Sequence, residues 1–264
     1  MAYMQLNFSS QYLGGSHPVS VILPERPNGM SAKEFYSSGK KYKVLWLLHG
    51  SYDDHTAWVR KSNIEVYACE KDLIVVMPNA LNSNYANWPQ FGLGYNMYDY
   101  LFEELMPLVY NWLPASPKRE DNYIAGLSMG GRGTCVYAFN HPEKFQAAAI
   151  FSAAPRDMDV LKDIEPKMYE RTLRSIQNYG SLEAYKNSYE YSWRLVTEKA
   201  HTGELPRLYF AIGKEDHLYA SYAHFKAYAE KIGLSAVFEE IDGYHHEWRF
   251  WDLAIQKALV FFGL

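Results

Sequence analysis

The segment Gly126-Leu127-Ser128-Met129-Gly130-Gly131 constrains the fold of this 264-residue chain more than any other feature. It follows the short apolar run Tyr123–Ala125, which is typical of a strand, and precedes a helix-compatible stretch that reaches about Asn140. Glycines on both sides of a serine allow strand and helix to approach closely at a sharp turn, where side chains would clash. The pattern therefore predicts a strand–turn–helix unit that projects the Ser128 hydroxyl from the helix N-terminus.

Short apolar runs rich in β-branched and aromatic residues recur along the chain and predict the strands of one sheet. They are Val19–Leu23, Val44–Leu48, Leu73–Met77, Tyr123–Ala125, Ala147–Phe151, Leu208–Ile212 and Ala236–Phe238. From Val44 onward the runs lack strict alternation, as expected of strands covered on both faces, and amphipathic segments lie between several of them. Because no internal repeat or long linker is present, we expect one α/β domain over residues 1–264, with a mostly parallel sheet and helices on both faces.

Three further segments are expected to be helical. An apolar stripe predicts a helix from about Tyr98 to Trp112, in which Pro107 should cause a kink or an early end. A second stripe, from Trp251 to Phe262, predicts a C-terminal helix packed on the sheet. Residues 155–206, with helical pieces around Asp159–Asn178 and Leu182–Lys199, are too many for a bare connection, so we expect a lid or cap over a site.

Two downstream loops carry the base and the acid that a reactive Ser128 would need. A serine hydroxyl is a weak nucleophile unless a neighbouring base takes its proton, and that base needs an acid that fixes its tautomer. The loop after the sixth predicted strand holds Glu215 and Asp216, and the loop after the seventh holds His245 and His246. Spacing alone leaves two candidates for each role. The alternative is a structural turn in which the serine only caps a helix.

A site of this kind also needs backbone donors for a developing oxyanion. One comes from the residue after the serine, here Met129, and the other from a loop after an early strand. The predicted strand Val44–Leu48 leads into His49-Gly50-Ser51, so we assign the second N–H group to Ser51. For His49 we expect a structural role, with its ring hydrogen-bonded to the backbone of the turn.

Composition excludes several classes of function. Lys and Arg number 26 against 30 Asp and Glu, for a net charge of −4, and the chain has no long basic run, so a nucleic-acid partner is not expected. There is no leader and no apolar stretch near the ~18–20 residues that span a bilayer, and only Cys69 and Cys135 are present, which favours the cytoplasm over a membrane or an oxidising compartment. Cys135 should pack as a small hydrophobe in the helix after Ser128.

Cofactor motifs are also missing from the sequence. There is no HExxH, no paired CxxC and no calcium loop, and the glycine-rich segment lacks the Lys-Ser/Thr of a phosphate loop, so we expect neither a metal nor another cofactor. Tyr and Trp are abundant, at 23 and seven, which is typical of an aromatic pocket or a contact between subunits. Trp88 is the first candidate for the pocket wall.

Five segments in order resemble the esterase D-like serine esterases, which include bacterial tributyrin esterases, S-formylglutathione hydrolases, and feruloyl and acetyl esterases. They are Leu47-Leu48-His49-Gly50 with Trp58, Glu104-Leu105 with Pro107, the Ser128 motif, Gly213-x-x-Asp216-x-Leu218-Tyr219 and His246-x-Trp248-x-x-Trp251. The resemblance spans nearly the whole chain. It implies the α/β-hydrolase fold and short acyl chains on simple or sugar-linked alcohols, and the aromatic content would also accommodate phenolic esters. It selects Asp216 over Glu215 and His246 over His245 as catalytic residues. Together with the tyrosine-rich surface, it leads us to expect a dimer or tetramer.

The chain departs from the family pattern at His245, where a small residue is common, and at Glu247, where aspartate is frequent. His245 could thus compete as the base or line the acyl pocket, and Trp248 is a further candidate for substrate contact. The segment Asn28–Lys40 is longer than usual for the family and has no assigned role.

These observations predict a serine carboxylesterase. An acyltransferase or thioesterase with the same three catalytic residues is the alternative among enzymes. A non-catalytic binding protein with a hydrolase fold is the alternative from another class.

Overall fold

The computed structural model describes residues 2–264, and an eight-stranded sheet lies at its centre. The sheet runs in the order β1-β2-β4-β3-β7-β8-β9-β10. The strands are β1 (Ala2–Ser10), β2 (Gly15–Leu23), β3 (Val44–Leu48), β4 (Ile74–Pro78), β7 (Asn122–Leu127), β8 (Ala147–Phe151), β9 (Arg207–Gly213) and β10 (Ala236–Ile241). Strands β1 and β2 pair in antiparallel fashion, as do β2 and β4, and the other pairs are parallel. A separate hairpin joins β5 (Asn87–Trp88) to β6 (Tyr95–Asn96).

Helices cover both faces of the sheet. They are α1 (Ala32–Tyr36), α2 (Ala57–Lys61), α3 (Ile64–Glu70), α4 (Met97–Asp99), α5 (Met106–Trp112), α6 (Met129–Asn140), α7 (Leu161–Ile164), α8 (Pro166–Tyr179), α9 (Leu182–Lys186), α10 (Ser192–Lys199), α11 (Tyr219–Lys231) and α12 (Trp248–Phe262). A π-helix spans Tyr100–Leu105, and short 3-10 turns span Arg119–Asp121 and Pro142–Lys144.

Successive residues of the central strands belong to two different cores, which explains why those strands lack alternation in sequence. In β3, Trp46 belongs to the core that includes residues of α5, α6, α10 and α11, whereas Leu45 and Leu47 belong to the core that includes residues of α2, α3 and α12. Every residue of β3, β4, β7 and β8 is buried. The predicted fold, a mostly parallel sheet between two helical layers, is confirmed.

Most predicted elements are present with adjusted bounds. The strands Val44–Leu48 and Ala147–Phe151 have the predicted limits, and the other predicted strands differ at one or both ends. The C-terminal helix packs on the sheet as predicted but begins at Trp248. Cys135 is fully buried, as expected of a packing residue, and both it and Cys69 are free thiols.

The helix predicted over Tyr98–Trp112 does not end at Pro107 but changes type just before it. The chain runs from α4 through the π-helix into α5, where Pro107 is the second residue. The Met106 N–H donates to the Leu101 carbonyl, which is the i to i−5 bond of a π turn. Because the bonding register shifts just before the proline, its missing N–H falls in the first turn of α5, where a proline is tolerated.

Helices α7 to α10 all lie in the connection between β8 and β9, which is the segment 155–206. The second predicted helical piece is divided here, since α9 ends at Lys186 and α10 begins at Ser192. A small core of its own holds these helices together, built on Met158, Leu161, Tyr185 and Tyr191. In the described part of the chain, no helix has both the length and the apolar character that crossing a bilayer demands.

Candidate active site

Ser128 lies at the sharp turn between β7 and α6. Its backbone angles are φ 52° and ψ −113°, a region that costs a residue other than glycine about 1–3 kcal/mol. The Ser128 N–H donates a hydrogen bond of 2.8 Å to the Phe151 carbonyl, which ties the turn to the end of β8. The turn holds the serine hydroxyl beside the first N–H groups of α6, where the helix dipole favours negative charge.

The flanking glycines are required by the close approach of three backbone segments. A Cβ atom on Gly126 would lie 2.4 Å from the carbonyl carbon and oxygen of Gly130. A Cβ atom on Gly130 would lie 2.5 Å from the Leu48 carbonyl oxygen, at the end of β3. Because backbone atoms cannot move aside as side chains can, only glycine fits at either position.

Ser128, His246 and Asp216 lie in one line of hydrogen bonds. The Ser128 Oγ is 3.0 Å from His246 Nε2, and His246 Nδ1 is 2.8 and 3.0 Å from the two carboxylate oxygens of Asp216. Asp216 follows β9, and His246 lies between β10 and α12. An ionised carboxylate only accepts hydrogen bonds, so Nδ1 carries the proton and Nε2 is free to accept the proton of the serine.

Burial separates Asp216 from its neighbour Glu215, which the sequence could not do. Asp216 is 4% exposed, whereas Glu215 is exposed to solvent. Burial acts to raise the pKa of the Asp216 carboxyl, but hydrogen bonds from His246, the Leu218 N–H and Ser152 outweigh it and lower that pKa below its ordinary 3.8. Asp216 is therefore a carboxylate at neutral pH and can stabilise a positive charge on the imidazole.

Ser152 and Trp251 support this arrangement, and the sequence analysis gave neither of them a role at the site. Ser152 follows β8 and is fully buried. The Trp251 indole N–H donates to the Ser152 Oγ at 2.9 Å, and the Trp251 ring meets the His246 ring edge to face at 4.9 Å. The position of Ser152 resembles that of Asp216, since Ser152 directly follows β8 and Asp216 lies three residues after β9, and the carboxyl ends of these parallel strands meet at one edge of the sheet.

None of the three candidates for substrate contact borders the cavity that contains Ser128. His245 is exposed, and its ring donates from Nδ1 to the Glu215 carbonyl at 3.2 Å. Trp248 packs between Trp58 and Trp251, with ring centroids 5.2 and 5.3 Å away, in the core under α12. Trp88 borders an outer groove and not the cavity that contains Ser128.

Ser51 and Met129 both border the cavity that contains Ser128. Met129 is the first residue of α6, so its N–H has no partner within the helix. His49 fixes the turn that carries Ser51, because its Nδ1 donates to the Gly50 carbonyl at 2.7 Å and its Nε2 accepts from the Ala80 N–H at 2.9 Å. Burial lowers the pKa of His49, so the ring is neutral and serves as the structural group that the sequence predicted.

The cavity beside Ser128 has a volume of about 230 Å³. Leu127, Leu218 and Trp251 form apolar parts of its wall, and Arg156 and Arg171 form basic parts. The two arginines belong to the segment between β8 and β9. No spacing or motif marked them in the sequence.

In residues 2–264, one group of side chains is close enough to hold a metal ion. The ligand atoms of Asp216, His217 and His246 all lie within 4.8 Å of one another. Because Asp216 and His246 are already hydrogen-bonded to each other, a cation bound there would compete with that bond. The group is better explained as an acid–base pair with a solvent-facing histidine beside it.

Comparison with known proteins places the chain in a family. The model of the family described as "Putative esterase" matches residues 10–262. The chain belongs to this esterase family. It is 28% identical to an acetyl esterase of Caldicellulosiruptor saccharolyticus over 98% of this chain and 97% of that one.

Two solved structures from Staphylococcus aureus extend this similarity to the fold. The fluorophosphonate-binding serine hydrolase F (FphF) is 33% identical, with a TM-score of 0.81 over 99% of this chain and 98% of that one. The S-formylglutathione hydrolase FrmB is 32% identical, with a TM-score of 0.80 over the same shares. The chain is thus a carboxylic ester hydrolase with the α/β-hydrolase fold, and the resemblance to the esterase D-like group is confirmed.

Proposed function

We propose that Ser128 is the nucleophile of this esterase, that His246 is its general base, and that Asp216 orients His246. The observation that carries the proposal is the continuous line of hydrogen bonds from Asp216 through His246 to Ser128, with a Ser128–His246 distance of 3.0 Å. This distance lies within the reach that proton transfer requires.

The proposed reaction proceeds through an acyl-enzyme. Ser128 Oγ attacks the ester carbonyl carbon while its proton passes to His246 Nε2, and the backbone N–H groups of Ser51 and Met129 stabilise the negative oxygen. His246 then gives the proton to the leaving alcohol as the carbon–oxygen bond breaks. Water, deprotonated by His246, hydrolyses the acyl-enzyme and frees Ser128. No cofactor enters these steps.

We propose short acyl esters of simple or phenolic alcohols as substrates. The small cavity beside Ser128 and its apolar wall of Leu127, Leu218 and Trp251 support a short acyl chain. Thioesters are a second candidate class, supported by the similarity to the S. aureus S-formylglutathione hydrolase. Comparing an ester and a thioester of the same acyl group would rank the two classes.

Two further expectations from the sequence, a lid and a cytoplasmic location, are included in the proposal. We propose that residues 155–206 act as a lid, since Met168 and Arg171 of α8 border the cavity. We also propose a reducing compartment, the cytoplasm, because Cys69 and Cys135 are both free thiols.

We further propose that copies of the chain associate into a dimer or tetramer. Tyr36 and Trp112 are 80% and 68% exposed and border one groove, an apolar surface that a second copy would bury. Light scattering should give a mass that is two or four times the 30.6 kDa of one chain.

The assignment of Ser128 is tested by covalent labelling and turnover together. A fluorophosphonate should add to the wild-type protein at Ser128, as read by intact mass and digestion, and a series of p-nitrophenyl esters should be cleaved fastest from acetate to butyrate. Ser128→Ala should abolish labelling and lower kcat by about 10³- to 10⁶-fold, with an unchanged circular dichroism spectrum. Near-normal turnover by the folded variant would remove the nucleophile assignment.

A further inference from the structure

Arg156 is a charged side chain at the cavity without an ionic partner. Its guanidinium donates to Thr172 Oγ1 at 3.3 Å and to Met168 Sδ at 3.5 Å, two neutral acceptors at long distances. By contrast, the nearby Arg132 is paired with the Glu190 carboxylate. Burial and the charge of Arg132 lower the pKa of Arg156 to about 10, against the opposing effect of the Glu165 carboxylate, and Arg156 is still charged at neutral pH.

Arg171 places a second positive charge at the same cavity. It donates to the Ser51 hydroxyl, and its guanidinium lies over the Tyr52 ring at 6.0 Å. Lys167 and Arg174 precede and follow it by four and three residues, so the three cations share one face of α8. All three border an outer groove of about 680 Å³ that meets the cavity at Tyr52 and Arg171.

Among the described residues, no carboxylate forms an ion pair with these cations, although the buried Glu165 carboxylate acts on Arg156 from a greater distance. In residues 2–264, none lies within 4.0 Å of Arg156, Lys167, Arg171 or Arg174. Of the acidic residues nearby, Asp53 is paired with Lys61 at 2.6 Å, the Glu165 Oε1 accepts from the Ser221 N–H, and Glu170 borders the groove. A chain with a net charge of −4 thus presents a positive surface at its candidate active site.

We propose that the preferred substrates of this esterase carry a carboxylate on an arm beyond the scissile carbonyl, and that Arg156 and Arg171 bind this carboxylate. The proposal rests on the proposed function, since it places the reacting carbonyl at Ser128. A guanidinium matches a carboxylate with two parallel N–H donors, and a site that already excludes part of the water strengthens that contact. The substrate carboxylate would supply the direct ion-pair partner that Arg156 and Arg171 lack within the described residues.

The carboxylate could belong to the acyl group or to the leaving group, and two matched pairs of substrates distinguish these positions. The acyl pair is mono-p-nitrophenyl adipate and the corresponding monoamide ester, which is neutral and of the same shape. The leaving-group pair is the acetyl thioester of 3-mercaptopropionate and that of 3-mercaptopropionamide, followed through the released thiol. In each pair, a charged carboxylate is compared with a neutral amide of nearly the same size.

The measurement is the ratio of kcat/KM between anion and amide, after subtraction of hydrolysis without enzyme. The wild type should favour the anion of at least one pair by about ten- to a hundred-fold, as charge-assisted hydrogen bonds allow. Arg156→Gln and Arg171→Gln should each reduce that ratio to about threefold or less, and Arg156→Lys should restore part of it. Arg194→Gln, which removes a charge on α10 away from both cavities, should leave the ratio unchanged. Since each ratio is taken within one variant, a general loss of activity does not affect it.

Two results would overturn the proposal: equal rates for anion and amide in both pairs, or a preference that survives in both Arg156→Gln and Arg171→Gln. Cleavage of neutral esters with no preference for the anion would reject only this inference. Absence of turnover for all four substrates, together with absence of fluorophosphonate labelling, would instead reject the proposed function.

Discussion

Two of the helices that border the cavity, α6 and α8, are built in opposite ways. Every residue of α6 except Asn140 is buried, whereas in α8 only Thr172 and Ser175 are buried. Helix α6 carries Ser128 at its N-terminus and packs against the sheet, and α8 presents a row of cations to the cavity and groove. The proposed nucleophile thus lies on a helix that should tolerate few substitutions. The cations proposed to select the substrate lie on a helix that should tolerate many.

Packing accounts for this inequality. In α6, the Tyr137 hydroxyl donates to the Met97 carbonyl at 2.9 Å, and the side chains around it fill the core, so a lost contact leaves a cavity or an unpaired donor. On α8, Lys167 and Arg174 are exposed, and replacing them removes charge without opening the core. Substitutions in the segment between β8 and β9 could therefore alter substrate preference while the Ser128 region keeps its geometry.

The largest expected effect comes from comparing the adjacent residues His245 and His246. They have the same side chain, but only His246 is hydrogen-bonded to both Ser128 and Asp216. His246→Ala should lower kcat/KM for p-nitrophenyl acetate by about 10²- to 10⁴-fold, since the proton of Ser128 loses its acceptor. His245→Ala should stay within about threefold of the wild type, because its ring is exposed and forms a single hydrogen bond within residues 2–264, to the Glu215 carbonyl. If His245→Ala proved to be the inactive variant, the base would have to be reassigned.

A pair of substitutions compares the two helices directly through stability. Gly130→Ala in α6 should lower the free energy of unfolding by about 4 kcal/mol or more, because its Cβ would lie 2.5 Å from the Leu48 carbonyl oxygen. Gln177→Ala on the exposed face of α8 should change it by no more than about 0.5 kcal/mol. Urea unfolding followed by circular dichroism measures both. Equal losses of stability would mean that α6 and α8 tolerate substitutions equally well, which would contradict the proposed difference between the two helices.

The sequence predicted those parts of the molecule whose signal is local. The strand Val44–Leu48 and the turn at Ser128 are each determined by consecutive residues, so the sequence predicts their positions directly. Strand β1 was missed, although Met4, Leu6 and Phe8 alternate with polar residues as expected of an edge strand with one covered face. That signal is weaker than a continuous apolar run because only half of its residues pack against the core.

The rest of the site depends on tertiary contacts that no spacing reveals. Asp216 and Glu215 are adjacent in sequence, and only the three-dimensional packing buries one and exposes the other. Arg156 and Arg171 reach the cavity because helices α7 to α10 pack around a separate small core. The sequence pattern of these helices does not indicate which residues will lie near Ser128. Side chains of this kind are found only after the fold is known.

The backbone at Ser128 provides the smallest and most specific test. Its φ of 52° is unfavourable for alanine and serine alike but available to glycine. The backbone is therefore strained when the residue at this position has a Cβ atom. We expect Ser128→Gly to be more stable than Ser128→Ala by about 1 kcal/mol in urea unfolding, even though glycine gains more entropy on unfolding. Both variants lack the hydroxyl, so neither should react with a fluorophosphonate. If Ser128→Ala were the more stable of the two, the turn would be relaxed, and α6 would hold the serine without strain.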